Sequence, residues 1–227
     1  INTKYKNSSF LDELYQNFDL DYLTIPYQND MYFFHPQKQI FDHLEDLSFS
    51  YSGPTSLGKS LLMRMFIKDK ILAGFKGNFA ILVPTKALIS EISSDLINKD
   101  LKDDLAKNNY KVVSSGNSIF FKQPGFHYIM IMTPERMLYT LMSFTNLSIN
   151  YLFIDEAHKI SQADGRSTFY FKVTDMLSQR SIKPHIILAS PNIPNPDIYL
   201  TTLPKEQLQD TNSFRTTFTP VCQLKYV

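Results

Sequence analysis

Apolar residues follow two alternating patterns from residue 36 onward. Short apolar or alternating runs, typical of strands in a covered sheet, occur at residues 48–51, 79–83, 111–113, 127–132, 151–154 and 185–189. Stretches with apolar residues at helical spacing occur at residues 37–47, 61–71, 86–97, 134–144 and 169–179. Strands that alternate with helices predict right-handed βαβ units. The expected fold class is therefore α/β, a mostly parallel sheet with helices on both faces.

The two ends of the chain are less regular than its middle. Residues 1–35 combine a short amphipathic stretch at 9–18 with an irregular aromatic segment, and we interpret them as an N-terminal extension. Residues 36–200 predict one domain, and 201–227 an exit segment. The chain begins with Ile1 and not with Met, so we expect it to be part of a longer protein.

Composition narrows the classes of function. With 43% apolar residues among 227, the chain can bury a substantial core. A net charge of +1 gives no global basic field for nucleic acid, although a local basic track remains possible. The single cysteine, Cys222, permits no internal disulfide and favours a cytoplasmic location. Neither a signal peptide nor a membrane span is visible in the sequence, so we expect no membrane partner.

A phosphate-binding motif follows the first predicted strand. The eight residues read G-x-x-x-x-G-K-S and are Gly53, Pro54, Thr55, Ser56, Leu57, Gly58, Lys59 and Ser60. In such a loop the glycines let backbone N–H groups surround phosphates, the lysine neutralises phosphate charge and the serine hydroxyl holds Mg²⁺. An ordinary glycine turn is the alternative. It is disfavoured because the chain has only 7 glycines and because a strand and a helix flank the motif.

A second acidic motif ends the strand predicted at residues 151–154. Asp155 and Glu156 come directly after this apolar run, roughly where a phosphate-loop enzyme needs carboxylates. Asp155 can hold hydrated Mg²⁺, and Glu156 can orient and deprotonate an attacking water. Taken alone, an Asp-Glu pair after a strand is usually a solvated loop. The phosphate loop upstream favours the catalytic interpretation.

Together these motifs resemble superfamily 2 helicases of the DEAD/DEAH-box type, in their first RecA-like, ATP-binding domain. D-E-A-H stands at residues 155–158, and residues 83–88 and 133–136 are similar to the family's P-T-x-A-L and T-P-E-R motifs. The resemblance implies ATP and Mg²⁺ as cofactors, DNA or RNA as partner, and backbone contacts by Thr85, Lys86, Thr133 and Arg136. Hydroxyls and free helix N–H groups suit phosphate oxygens. Ordinary N-capping is the alternative for each motif alone.

The third family motif is only partly present. Ser190 matches the S-A-T motif, whereas Pro191 and Asn192 depart from it. The resemblance implies that a contact between Ser190 and His158 couples ATP hydrolysis to movement of the nucleic-acid strand. The departures leave that contact open. His158 can also be interpreted as a packed core histidine.

Three further assignments rest on the resemblance. The family reads adenine with a glutamine, for which Gln37 and Gln39 compete; the apolar face behind Gln37 favours that residue. An aromatic ring that stacks on adenine would come from Tyr27, Phe33 or Phe34, unless these belong to the core. The segment Asp164-Gly165-Arg166 is similar to an acidic-plus-arginine segment of some members, or is a surface ion pair.

The resemblance implies two RecA-like domains, and too few residues follow Ser190 to form the second. We therefore expect a second RecA-like domain as partner, and little activity from this chain alone. A scaffold of the same fold that binds but does not hydrolyse nucleotide is the second hypothesis. A phosphate-loop kinase or GTPase is disfavoured because it leaves the other motifs unexplained. No metal other than Mg²⁺ is expected, since the histidines lack metal-ligand spacing.

Overall fold

The computed structural model describes residues 10–114, 125–161 and 165–220. Three residues named above, Ile1, Asp164 and Cys222, lie outside these ranges. The strands are β1 Thr24–Ile25, β2 Gln28–Tyr32, β3 Ser48–Ser52, β4 Phe79–Leu82, β5 Tyr110–Val113, β6 His127–Met132, β7 Tyr151–Ile154, β8 His185–Ser190 and β9 Thr211–Arg215. The α-helices are α1 Phe10–Leu23, α2 His35–Asp42, α3 Lys59–Leu72, α4 Lys86–Asp95, α5 Asp104–Lys107, α6 Pro134–Ser143 and α7 Ser167–Ser178.

Strands β3 to β9 form one sheet in the order β5-β6-β4-β7-β8-β3-β9. Every neighbouring pair is parallel, which confirms the expected α/β architecture. The central strands β4 and β7 are buried along their whole length, as apolar runs in a parallel sheet covered on both faces should be. The carboxyl ends of all seven strands consequently lie along one edge of the sheet.

Helices cover both faces, because successive strand residues point to opposite sides. One core cluster contains Ile81 together with buried residues of α2, α3 and α4. The other contains Ala80 and Leu82 together with buried residues of α6 and α7. In the first cluster, the ring of Phe66 packs edge-on against Tyr151 at a centroid distance of 5.1 Å, a geometry that aromatic pairs favour.

The outer strand β9 lies in residues that the sequence pattern assigned to an exit segment. It pairs in parallel with β3 from Ser48↔Thr211 to Ser52↔Arg215. The approach to it is also buried, since the Ser48 hydroxyl donates to the backbone oxygen of Gln207 at 2.8 Å and Gln207 is fully buried. The sheet therefore continues past residue 200. The sequence of β9, T-N-S-F-R, has no apolar run, which is why the pattern did not predict a strand there.

The N-terminal residues are partly integrated into the domain. Strands β1 and β2 form an antiparallel hairpin, and Phe33 beyond it packs on Phe41 with ring centroids 4.9 Å apart. Helix α1 is longer than the amphipathic stretch predicted at residues 9–18, and of its residues only Leu23 is buried. None of the helices in the described ranges has the length and apolar character needed to cross a bilayer.

Candidate active site

The phosphate loop joins β3 to α3 at the carboxyl edge of the sheet. Thr55–Leu57 form one 3-10 turn, and Gly58 adopts φ 78°, a left-handed conformation that favours glycine. Gly58 is also the residue directly before α3. A β-carbon at Gly53 would approach a methyl group of the buried Leu57 to 2.4 Å. The loop therefore favours glycine at both fixed positions of the motif, at Gly58 because of its backbone angle and at Gly53 because of the close side chain of Leu57.

Lys59 lies inside this curve. Its Nζ donates hydrogen bonds to the backbone oxygens of Gly53 at 3.0 Å and Pro54 at 3.2 Å. The side chain is buried, and burial lowers the pKa of Lys59, although the negative charges of Asp155 and Glu156 act in the opposite direction. The hydroxyl of Ser56 is also buried and has no hydrogen-bond partner in the described residues. The loop thus contains a buried lysine that bonds to the loop backbone, and a buried serine hydroxyl that has no partner in the described residues.

The acidic pair reaches the same place from β7. Asp155 is only 4% exposed, and its Oδ2 accepts a hydrogen bond from the Ser60 hydroxyl at 3.4 Å. Burial, and secondly the charge of Glu156, raises the pKa of Asp155 to about 6. A buried carboxylate beside a hydroxyl oxygen is an oxygen donor set of the kind that Mg²⁺ prefers. Ser60 and Asp155 therefore fit the metal-binding role predicted for them.

Glu156 is held in an unusual backbone conformation. Its φ is 56°, in the left-handed region that costs a residue with a side chain roughly 1 kcal/mol or more. The backbone N–H of Glu156 donates to Asp155 Oδ1 at 3.0 Å, which stabilises the turn. Its carboxylate lies 3.1 Å from His158 Nδ1, close but not aligned as a hydrogen bond. The local structure therefore separates the two neighbouring carboxylates into different environments.

These groups converge on one cavity. It has a volume of about 200 Å³ and is lined by Thr55, Gly58, Lys59, Ser60, Leu61, Leu88, Asp155 and Glu156. A larger cavity of about 350 Å³ lies at the loop 143–148 on another part of the surface, but it lacks a cation and a carboxylate. Of these two cavities, the smaller has the chemistry that suits the phosphates of a magnesium nucleotide, because a cation and Mg²⁺-type donors line it together.

Gln37 approaches the phosphate loop directly. Its Oε1 accepts from the Phe34 backbone N–H at 2.9 Å, and its Nε2 donates to the Leu57 backbone oxygen at 2.9 Å. Gln39, the competing residue, is exposed. The structure therefore brings Gln37, and not Gln39, to the loop. Of the aromatic residues considered with it, Phe33 is a core residue, whereas Tyr27 is 57% and Phe34 47% exposed.

The two candidate nucleic-acid loops begin helices at the same edge. Thr85 caps α4 by accepting from the Leu88 N–H at 3.3 Å, and Thr133 caps α6 by accepting from the Arg136 N–H at 3.4 Å. The side chains of Lys86 and Arg136 are exposed. Capping explains the threonine in each motif, yet a capping hydroxyl keeps its own proton for donation. The structure is compatible with both interpretations.

Arg166 connects these two loops. It donates to the backbone oxygen of Pro84 at 3.1 Å, and its Nε lies 3.3 Å from Glu135 Oε1. The sequence left this residue open between a family-type segment and a surface ion pair. The ion pair exists, but it joins two segments that both carry candidate nucleic-acid residues. The sequence did not indicate this bridge, since Pro84, Glu135 and Arg166 are far apart in the chain.

The third motif is attached to β3. The Ser190 hydroxyl donates to the Tyr51 backbone oxygen at 3.2 Å, and the Gly53 N–H donates to the Ser190 backbone oxygen at 3.4 Å. The hydrogen bonds of Ser190 in the described residues therefore run toward the phosphate loop. His158 contacts Glu156 instead. The coupling contact between Ser190 and His158 that the resemblance implied is not formed in this structure.

Ser52 is a site residue that the sequence analysis did not identify. Its hydroxyl accepts from the Ile193 N–H at 2.7 Å and lies within donating distance of the oxygens of Pro191, at 2.9 Å, and Ile193, at 3.0 Å. One buried side chain thus ties the loop after β8 to the residue that precedes the phosphate loop. The signal was present in the sequence: S-F-S-Y-S puts serines at alternate positions of a strand whose residues are all buried.

Comparison with known proteins identifies the family. The family model for DEAD/DEAH box helicases matches residues 34–198, which is more than half of the chain. The chain belongs to the DEAD/DEAH box helicase family. The match covers the phosphate loop, the D-E-A-H residues and the third-motif position, and it agrees with the resemblance noted from the sequence.

Solved structures show that this helicase-family chain has a RecA-like helicase fold. Mss116p bound to ssRNA and AMP-PNP is 14% identical, has a TM-score of 0.63, and the match covers 94% of this chain and 46% of that one. The helicase MrfA bound to DNA gives 18% identity, a TM-score of 0.61, and coverage of 82% and 27%. The Hef helicase domain of Pyrococcus furiosus gives 17%, 0.55, and coverage of 79% and 38%.

The helicase-family chain spans less than half the length of each of these structures. A comparison with curated protein sequences gave no significant match. At such low identities the structural likeness establishes the fold. The roles of individual residues in this helicase-family domain rest on its own geometry.

The raised pKa of Asp155 predicts a pH-dependent stability. The carboxyl has a reference pKa of 3.8 and titrates at about 6 in the fold. The folded state therefore binds more protons between these values, and its stability should fall as pH rises through that window. Asp155→Asn should remove this loss. Its free energy of unfolding should exceed that of wild type by roughly 3 kcal/mol at pH 7 and by little at pH 4.

Denaturant unfolding in EDTA from pH 4 to pH 7 measures this effect. Asp103→Asn, at an exposed position, is the matched control and should follow the wild-type curve. A constant difference between Asp155→Asn and wild type across the range would show that Asp155 does not titrate in this way.

The hydrogen bonds of Ser52 predict a second effect. Ser52→Ala leaves the Ile193 N–H without its partner, so the free energy of unfolding should fall by about 1–3 kcal/mol. Hydrogen exchange at the Ile193 amide should accelerate more than at the amides of β7. The exposed Ser181 provides the control substitution Ser181→Ala, which should leave both measurements unchanged. Unaltered exchange at Ile193 in Ser52→Ala would contradict the assigned role.

Proposed function

We propose that this chain is the ATP-binding half of a nucleic-acid-dependent ATPase, a helicase or translocase that hydrolyses ATP to ADP and phosphate. The observation that supports it most is the convergence of Lys59, Ser60 and Asp155 on one cavity at the carboxyl edge of the sheet. Membership of the helicase family agrees with it. DNA or RNA is the proposed partner, and the cytoplasm the proposed location.

Binding begins at the phosphate loop. Lys59 exchanges its bonds to the Gly53 and Pro54 oxygens for phosphate oxygens, which are stronger acceptors because they are charged. Gln37 bonds to the loop through Leu57, and the second N–H of its Nε2 and the second lone pair of its Oε1 would read the adenine edge. Ser60 and Asp155 would hold Mg²⁺, which neutralises phosphate charge when bound.

Hydrolysis is assigned to Glu156. Its carboxylate lines the cavity and is 28% exposed, so it can accept a proton from water and still lie beside the phosphates. His158 Nδ1 lies 3.1 Å from that carboxylate, although the two groups are not aligned as a hydrogen bond. We propose that a second RecA-like domain of the same polypeptide completes the site by supplying cations to the transferred phosphate, an effect worth roughly 10³–10⁵ in rate for arginine fingers.

A second candidate function is a module of the same fold that binds nucleotide without turnover. The attachment of Ser190 to β3 favours it, because the implied link from Ser190 to His158 is replaced by bonds toward the phosphate loop. Both candidates require nucleotide binding, so they separate only when turnover is measured.

The first experiment tests nucleotide binding. Calorimetry with ATP and Mg²⁺ should show binding to the 227-residue chain that Lys59→Ala weakens roughly 10- to 150-fold, the value of a charged hydrogen bond. Lys183→Ala removes an exposed lysine of the same charge and should bind as wild type does. Equal affinity in wild type and Lys59→Ala would remove the basis of the assignment.

The second experiment tests hydrolysis in the polypeptide that carries both RecA-like domains. Glu156→Gln should keep its affinity for ATP and lose about 10²–10⁴ in turnover, since an amide cannot take the proton. The 227-residue chain alone should show turnover near background, with or without DNA or RNA. Wild-type turnover at the level of Glu156→Gln would favour the non-hydrolysing module.

A further inference from the structure

An open groove runs along α6, next to the T-P-E-R motif. Its volume is about 400 Å³, and it is lined by Thr133, Glu135, Arg136, Tyr139, Thr140 and Ser143. The groove starts where α6 starts, so the positive end of the helix dipole lies at one end of it. Its other end is a helix surface with an aromatic ring.

That ring belongs to Tyr139, which is 70% exposed. Within the described residues no other ring stacks on it. Tyr139 follows Arg136 by three residues, so the two side chains share one helix face at about 4.5 Å separation along the axis. Met142, three residues further, is 61% exposed. A cation is thus followed along one face of the helix by an uncovered aromatic surface.

We propose that Tyr139 is a stacking platform for a base of single-stranded nucleic acid whose phosphates lie at Thr133 and Arg136. The proposal rests on the proposed function and adds a contact with a base to contacts with the backbone. A nucleotide carries an anionic phosphate and a flat aromatic base a few ångströms apart. Arg136 in the groove suits the phosphate, and the exposed ring of Tyr139 suits the base. Stacking on aromatic side chains is the usual way in which such proteins hold bases without reading sequence.

The charges around the groove are compatible with an anionic strand. Arg136 donates through one N–H to the Ser114 backbone oxygen at 2.8 Å, and a guanidinium carries five N–H donors. The one carboxylate that lines the groove, Glu135, is paired with Arg166 at 3.3 Å. That pairing offsets its repulsion of phosphate. It also fixes the start of α6 relative to Pro84, and so relative to the other candidate loop.

Binding of a labelled oligothymidylate, followed by fluorescence anisotropy, tests the platform. Tyr139→Ala should weaken binding roughly 5- to 150-fold, whereas Tyr139→Phe should keep wild-type affinity because the ring is retained. The control is Tyr15→Ala, since Tyr15 is 73% exposed on α1 and should have no effect. An oligonucleotide with 2-aminopurine should show quenching in wild type and Tyr139→Phe that is lost in Tyr139→Ala.

Salt dependence separates the two kinds of contact. Arg136→Ala should reduce the slope of log K against log salt by about 0.7, the value for one phosphate contact on a single strand. Tyr139→Ala should leave that slope unchanged, because stacking releases no counterion.

Equal binding by wild type and Tyr139→Ala, with Arg136→Ala impaired, would overturn the platform alone and leave the proposed function standing. Equal losses in Tyr139→Ala and Tyr139→Phe would also overturn it, by assigning the contact to the hydroxyl. Failure of the wild-type chain to bind the strand at low salt would instead overturn the nucleic-acid function and the platform with it.

Discussion

The hydrogen bond from Ser60 to Asp155 joins residues that are 95 positions apart in the chain. It forms because a parallel sheet delivers β3 and β7 to the same edge, where such folds bind their ligands. Asp155 remains buried there beside a second carboxylate, an arrangement that raises its pKa and lowers stability near neutral pH. A site that carries this cost before ligand binds gains affinity for a cation, because the cation removes the cost.

The connection between the site and the loop after β8 differs from the one that the family motif implies. Ser190 and the backbone around Ile193 bond to β3, at Tyr51 and Ser52. The loop after β8 is therefore hydrogen-bonded to the strand that leads into the phosphate loop. Pro191 and Asn192, which replace the usual residues, lie within that attached segment. The departure in sequence and the departure in hydrogen bonding thus occur at the same place.

Much of the sheet and the position of the glycine loop within it could be predicted from the sequence, because apolar runs and glycine positions reflect burial and backbone geometry directly. The interior strands β3, β4, β6, β7 and β8 were predicted within one residue at each end. Strand β9 was missed since an edge strand needs no apolar run. The bonding partners of Gln37, Ser52 and Arg166 could not be predicted, because each side chain bonds to a backbone oxygen of another segment and every residue carries such an oxygen. The choice of Gln37 over Gln39 agrees with the contact that the structure shows.

Strand β9 has a further consequence for the protein as a molecule in solution. It is the outer neighbour of β3, the strand that leads into the phosphate loop. A chain cut at residue 200 would expose the N–H and C=O groups of β3, a template for pairing with another molecule. The polar side chains of T-N-S-F-R make β9 a poor template in its turn. A short hydrophilic strand thus shields the strand that leads into the G-x-x-x-x-G-K-S motif from pairing with another molecule.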